Sequence, residues 1–137
     1  MTSFAALRAE RQEAWLHQAE NDLALARLAR DHGYLAQACF LASQAAEKAL
    51  ISAVLELGEE PSHTHVLPDL TAALTRLGLD VSSLEQLPLR RLSRMAITSR
   101  YPMDATPPSE LFDLQETDQA LETAAAVIQH LRALDQA

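Results

Sequence analysis

Between Tyr34 and Leu57 the chain reads YLAQACFLASQAAEKALISAVLEL, with alanine at positions 36, 38, 42, 45, 46, 49 and 53. Alanine is the strongest helix former and carries nothing beyond Cβ, so a run of this kind makes a helix that neighbouring helices can approach closely. Phe40, Leu41, Leu50, Ile51 and Leu57 add the bulk such a helix needs to fill a core. The segment therefore predicts a buried helix at the centre of an all-α domain. Only three glycines and 4 % aromatic residues agree with that class.

The 137 residues suit one domain, 1–137, with a single core. A net charge of −8, from 11 basic and 19 acidic residues, disfavours a general nucleic-acid coat and an anionic membrane surface. The N-terminus has no charged start followed by an apolar run, and no apolar segment is read as approaching a membrane span of ~20 residues. The expectation is a soluble, cytoplasmic protein with no membrane partner. The single cysteine, Cys39, excludes a disulfide framework and a cysteine-based metal site, and reads as a small core residue.

Helical spacing of Trp15, Leu16, Ala19, Leu23 and Ala26 predicts a long first helix, capped by Thr2 or Ser3 and ending at Asp31 before His32 and Gly33. A turn at Gly33 would pair it antiparallel with the alanine-rich helix, which Gly58 closes. Leu67, Leu70, Leu74 and Leu77 form the stripe of a short third helix stopping at Gly78. Ser82 and Glu85 have capping-box spacing, but Pro88 cannot sit deep in a helix. A turn over Ser82 to Leu87 and a helix from Pro88 to Ser99 follow. Pro102, Pro107 and Pro108 hold a loop from Tyr101 to about Leu114, and Thr117 would cap a last helix with Ala120, Leu121, Ala124, Val127, Ile128, Leu131 and Leu134 on its apolar face.

Two polar features stand out. Ser43, Gln44, Glu47 and Lys48 interrupt the alanine-rich helix, with four residues separating Ser43 from Glu47 and Gln44 from Lys48. They read either as the solvated strip of a partly exposed helix or as the wall of a cleft. Lys48 is also the only lysine beside ten arginines. The stretch PLRRLSRMAITSRYP, from Pro88 to Pro102, carries Arg90, Arg91, Arg94 and Arg100 and no acidic residue, so it is +4 within a chain otherwise −12. Its arginines read either as a solvated face pairing with surplus carboxylates or as a phosphate site.

His63 and His65 form an H-x-H pair without a third nearby ligand, so no metal site is expected, and His65 reads as a residue at the start of the third helix. Walker, dinucleotide, nucleophile-elbow and zincin patterns are missing, and no cofactor is expected.

The ordered set Trp15-Leu16 with Ala19, Asp22 and Leu23, then Tyr34 and Ala38, FLASQAAEKAL from Phe40 to Leu50, Thr64-His65 with Leu67 and Leu70, and SRYP from Ser99 to Pro102 resembles the HEPN domains. These are small helical proteins named for nucleotide binding in higher eukaryotes and prokaryotes. The resemblance covers nearly the whole chain and implies an up-and-down bundle of four main helices plus a short one, assembled as a homodimer. It also implies a minimal nucleotidyltransferase as partner, in several cases within a toxin–antitoxin pair. Ribonuclease members of the family carry an Arg, usually a polar residue next, and a His four to six residues after the Arg, at a cleft across the dimer. There Arg steadies phosphate and His moves a proton.

In this chain Arg100 is followed by Tyr-Pro-Met-Asp-Ala-Thr-Pro, with no histidine. Arg11 to His17 and Arg27 to His32 match the spacing only in the first helix, out of register with the family's position. The sequence thus favours a non-catalytic module in which Arg100, with Arg94, Arg91 and Lys48, binds a nucleotide phosphate or helps dock a nucleotidyltransferase. Ser43, Gln44, Glu47, His65 and Tyr101 would border the cleft. The alternative is a metal-independent ribonuclease acting on RNA with His65 as its base. Arginine alone binds phosphate but is no general base near neutral pH, which is why the binding reading leads.

Overall fold

The computed structural model describes residues 4–61 and 64–135, and among them there are helices and no strands. Six α-helices follow one another: α1 (Phe4–Asp31), α2 (Leu35–Glu56), α3 (Leu67–Arg76), α4 (Ser82–Glu85), α5 (Leu89–Thr98) and α6 (Leu114–Asp135), with a 3-10 turn at Pro108–Glu110. The expected all-α bundle is the fold observed. Thr2 and Ser3, the expected caps of the first helix, and His63 of the H-x-H pair lie outside the described residues.

α2 is the axis of the bundle, packed against α1, α3, α5 and α6. Its alanines explain how one helix can have so many neighbours: Ala38, Ala42, Ala45, Ala46 and Ala49 are fully buried, and with no side chain beyond Cβ they let the surrounding helices close in. Leu16 and Leu23 from α1, Leu70 and Leu74 from α3, Leu92 from α5, and Val127 and Leu131 from α6 fill the space between.

By length and composition alone α2 could cross a membrane, with a mean hydropathy of 1.3 over its most apolar 18 residues. The expectation that no apolar segment approaches a span is therefore corrected. Of that window, 78 % is buried in the bundle, because a helix packed on several sides needs apolar residues all round.

Gly33 joins α1 to α2 with φ of +83°, a left-handed conformation that costs glycine nothing. Its N–H reaches Arg30 O at 3.1 Å and the Tyr34 N–H reaches Ala29 O at 2.8 Å, which satisfies the last carbonyls of α1. α4 is the single turn expected before Pro88, yet its start is held by Asp80, whose carboxylate accepts from the Ser82 N–H and hydroxyl at 3.0 and 2.7 Å. Glu85 instead accepts from the Thr75 hydroxyl at 3.1 Å. α6 begins one turn earlier than the Thr117 cap predicted. Asp113 caps it, accepting the Glu116 N–H at 2.7 Å, while Thr117 is fully buried and donates to Asp113 O at 2.8 Å. Within the 101–113 loop, Phe112 packs on the core and Leu111 stays exposed.

Candidate functional site

A cleft of about 790 Å³ opens between α2, α5 and the segment that leads into α3. That is within the ~300–1,000 Å³ common for small-molecule sites. α2 lines it with Phe40, Gln44 and Glu47, a single stripe at i, i+4 and i+7. α5 lines it with Arg90, Ser93, Arg94, Ala96 and Ile97, and Arg100 follows one turn beyond. His65 and Val66 close the third side.

Each wall has a local reason for its position. Arg90 and Arg94 are four residues apart, so they share the face of α5 opposite Leu89, Leu92 and Met95, which are buried in the core. Ser93 accepts the Leu67 N–H at 2.7 Å, which ties the first turn of α3 to α5 and brings His65 to the cleft mouth. Arg100 lies past the helix end, where its Nε donates to Ala96 O at 2.7 Å. Its guanidinium sits 4.8 Å from the Phe40 ring centre and 5.1 Å from that of Tyr101. Two aromatic rings and a carbonyl thus hold the cation in place.

The electrostatics are one-sided. Among the described residues no carboxylate pairs with Arg90, Arg94 or Arg100, although the chain has a surplus of acidic residues to pair with them. Among the described residues, Glu47 is the only acidic side chain in the cleft wall, and it is buried. It accepts a hydrogen bond from His65 Nδ1 at 3.0 Å. A carboxylate can only accept, so Nδ1 carries the proton and Nε2 is left to meet a ligand or solvent.

Arg94, Arg100, Gln44, Glu47 and His65, all named from the sequence, line one cleft. Tyr101 is exposed beside Arg100 rather than in the lining. Three expected residues lie elsewhere. Lys48 points to α1, with its ammonium 2.5 Å from Asp22 Oδ2. Arg91 is displaced around α5 by its one-residue offset from Arg90, and donates to Gln119 Oε1 of α6 at 3.3 Å. Ser43 is buried in the helix packing. Arg90 was read within the arginine island but not carried into the expected site, and Phe40 and Ser93 were not read as site residues, although the four-residue spacings of Arg90 with Arg94 and of Phe40 with Gln44 are visible in the sequence.

Among the described residues, no cluster of three His, Cys, Asp or Glu side chains could hold a metal ion. Neither match to the ribonuclease spacing in α1 reaches the cleft. Arg11 pairs with Glu60 at 2.9 Å, and His32 lines an apolar groove with Leu25, Leu28 and Tyr34.

The HEPN domain profile matches residues 12–134. The chain belongs to the HEPN family. Solved relatives agree over nearly the full length. The crystal structure of TT1696 from Thermus thermophilus is 32 % identical, with a TM-score of 0.82, over 90 % of this chain and 97 % of that one. The crystal structure of ST0689, an archaeal HEPN homologue, is 27 % identical, with a TM-score of 0.71, over 90 % and 96 %. No curated protein matches this HEPN chain.

Proposed function

We propose that this HEPN domain is a binding module whose α2/α5 cleft takes the phosphates of a nucleotide. The observation that carries the reading is the set of three guanidiniums, Arg90, Arg94 and Arg100, that line one cleft without a carboxylate partner among the described residues. Unpaired arginines held together repel one another, and an anion of matching geometry relieves that repulsion through charge-assisted hydrogen bonds. Arg100 is already immobilised on Phe40 and Tyr101, so little ordering remains for binding to supply.

Equilibrium dialysis with nucleoside triphosphates tests the reading. Arg100→Ala should weaken binding by about tenfold or more, the weight of one charge-assisted pair, while circular dichroism stays unchanged. Equal binding by the variant and the wild type would refute the assignment.

A second reading is favoured by one contact, the Glu47–His65 hydrogen bond. A buried carboxylate fixing Nδ1 would orient Nε2 as a general base beside the phosphate-holding arginines. Such a ribonuclease would pass the ribose 2′-hydroxyl proton to Nε2 as that oxygen bonds to phosphorus and the bond to the 5′-oxygen breaks, the 5′-oxygen taking a proton from water to leave as a hydroxyl, with no metal. Incubation of purified protein with mixed RNA, alongside His65→Ala, decides the matter: inert wild type removes this reading.

The family also suggests a homodimer and action with a minimal nucleotidyltransferase, in a toxin–antitoxin setting. The exposed Leu25, Leu28 and Tyr34 around the groove between α1 and α2 support a partner-covered face. Sedimentation as a monomer at micromolar concentration would contradict the homodimer.

A further inference from the structure

The two long walls of the cleft differ chemically, and phosphate binding explains only one of them. α5 presents cations. α2 presents Gln44 and Glu47, three residues apart and therefore side by side. A carboxylate on the wall of a phosphate site is adverse, since it repels the ligand and competes for the arginines. Glu47 nonetheless pairs with none of those arginines. Its side chain is 9 % exposed, and its only partner among the described residues is His65 on Oε1, which leaves Oε2 without a donor. His65 is 81 % exposed at its side chain, so water could satisfy it and Glu47 is not needed for that purpose. Gln44 also lines the cleft, with the oxygen and the NH₂ of its side-chain amide both uncommitted among the described residues.

An acceptor-only carboxylate beside an amide is complementary to a ligand edge carrying N–H donors next to a carbonyl. Among the four common bases only guanine has two adjacent N–H donors, at N1 and N2, followed by the O6 acceptor. Glu47 matches the two donors, and the Gln44 NH₂ matches O6. Adenine and cytosine would turn a ring-nitrogen lone pair toward the carboxylate, and uracil would turn O2 toward it. The body of the base has an apolar seat in Val66 and Ile97, which line the cleft and are 39 % and 55 % exposed.

Building on the phosphate reading above, we infer that the cleft selects guanine, with Glu47 and Gln44 reading the base edge while Arg90, Arg94 and Arg100 hold the phosphates.

Titration calorimetry of the wild-type protein with GTP, ATP, ITP and inorganic tripolyphosphate tests this. GTP should bind about tenfold or more tightly than ATP, the discrimination expected of a good bidentate contact, and ITP, which lacks the N2 amino group, should fall between them. Glu47→Gln, and separately Gln44→Ala, should bring GTP down towards the level of ATP. The ITP comparison needs no variant, so the inference stays testable if Glu47→Gln fails to fold. GTP and ATP binding equally, with tripolyphosphate also bound, would overturn guanine selection and leave the phosphate reading standing. Binding of none of the four would overturn both.

Discussion

The Lys48 ammonium lies 2.5 Å from Asp22 Oδ2, so the chain's single lysine joins α2 to α1 in a contact where Asp22 is buried and also accepts from Gln18 at 2.9 Å. Removing the cation would leave a mostly desolvated carboxylate with one neutral partner. Lys48→Met should therefore destabilise the fold by about 2–3 kcal/mol, less than for a fully buried pair because the lysine side chain remains 24 % exposed. Urea denaturation reads the loss. Tripolyphosphate binding by the folded variant should match the wild type, because the ammonium faces α1 and not the cleft. Loss of binding with stability intact would return Lys48 to the site.

The same residue shows what a sequence can disclose. Ala38, Ala42, Ala45 and Ala49 act through propensity and size, and Gly33 through its allowed φ, so the central helix and its turn are legible locally. Lys48 and Glu47 are neighbours in sequence but face different helices, and only the packing of α1, α3 and α5 around α2 decides which charge meets what. The arginine island behaves likewise. Arg90, Arg91 and Arg94 look equivalent as a string, while the 100° turn per residue places Arg90 and Arg94 in the cleft and sends Arg91 to α6. His65 reaches the site through Ser93, whose hydroxyl fixes the start of α3 from 26 residues away. A search for histidine just after Arg100 could not anticipate it.

Phe40 should matter for binding although it is no hydrogen-bonding group. Its ring lies 4.8 Å from the Arg100 guanidinium and helps to keep that cation in the cleft. Phe40→Leu keeps much of the bulk and removes the π face. The expected result is triphosphate binding weakened by about two- to fivefold, from the ~0.5–1 kcal/mol of an exposed cation–π contact, with an unchanged melting profile. Unchanged affinity in dialysis would show that Ala96 O and Tyr101 suffice to hold Arg100.

Arg132 of α6 bonds both Glu13, at 2.8 and 3.1 Å, and Glu20, at 2.5 Å, on α1. The hydrogen bond from Arg132 is the main reason the Glu13 carboxyl titrates below its ordinary 4.5, ahead of the opposing effect of burial. A carboxyl depressed in the folded state stabilises fully above its unfolded pKa and loses that contribution as pH falls through the folded value. Glu13→Gln should therefore lower stability at pH 7 by no more than about 1 kcal/mol, since the pair is half exposed. The gap from wild type should close as the pH falls from neutral through the depressed pKa, where the carboxyl becomes protonated in the folded state as well. A gap between denaturation midpoints that held constant from neutral to acid pH would mean that charge is not its source.

Cys39 should be chemically silent in the native protein. Its sulfur is fully buried at the contact of α2 with α6, where the thiol is 3.5 Å from the Thr117 hydroxyl oxygen. Burial pushes the thiol above its ordinary value of 9.0, and this outweighs the bond to Thr117, which acts in the opposite direction. The reactive species is the thiolate, so both its scarcity and its enclosure oppose attack. An Ellman assay near neutral pH should find no accessible thiol in the folded chain and one after denaturation. In intermediate urea the labelling rate should follow the unfolded fraction, because reaching the sulfur requires α6 to leave α2. Rapid labelling without denaturant would instead reveal a local opening of the α2–α6 contact, and Thr117→Val would then identify whether the hydroxyl controls it: a further rise in rate would assign it that role.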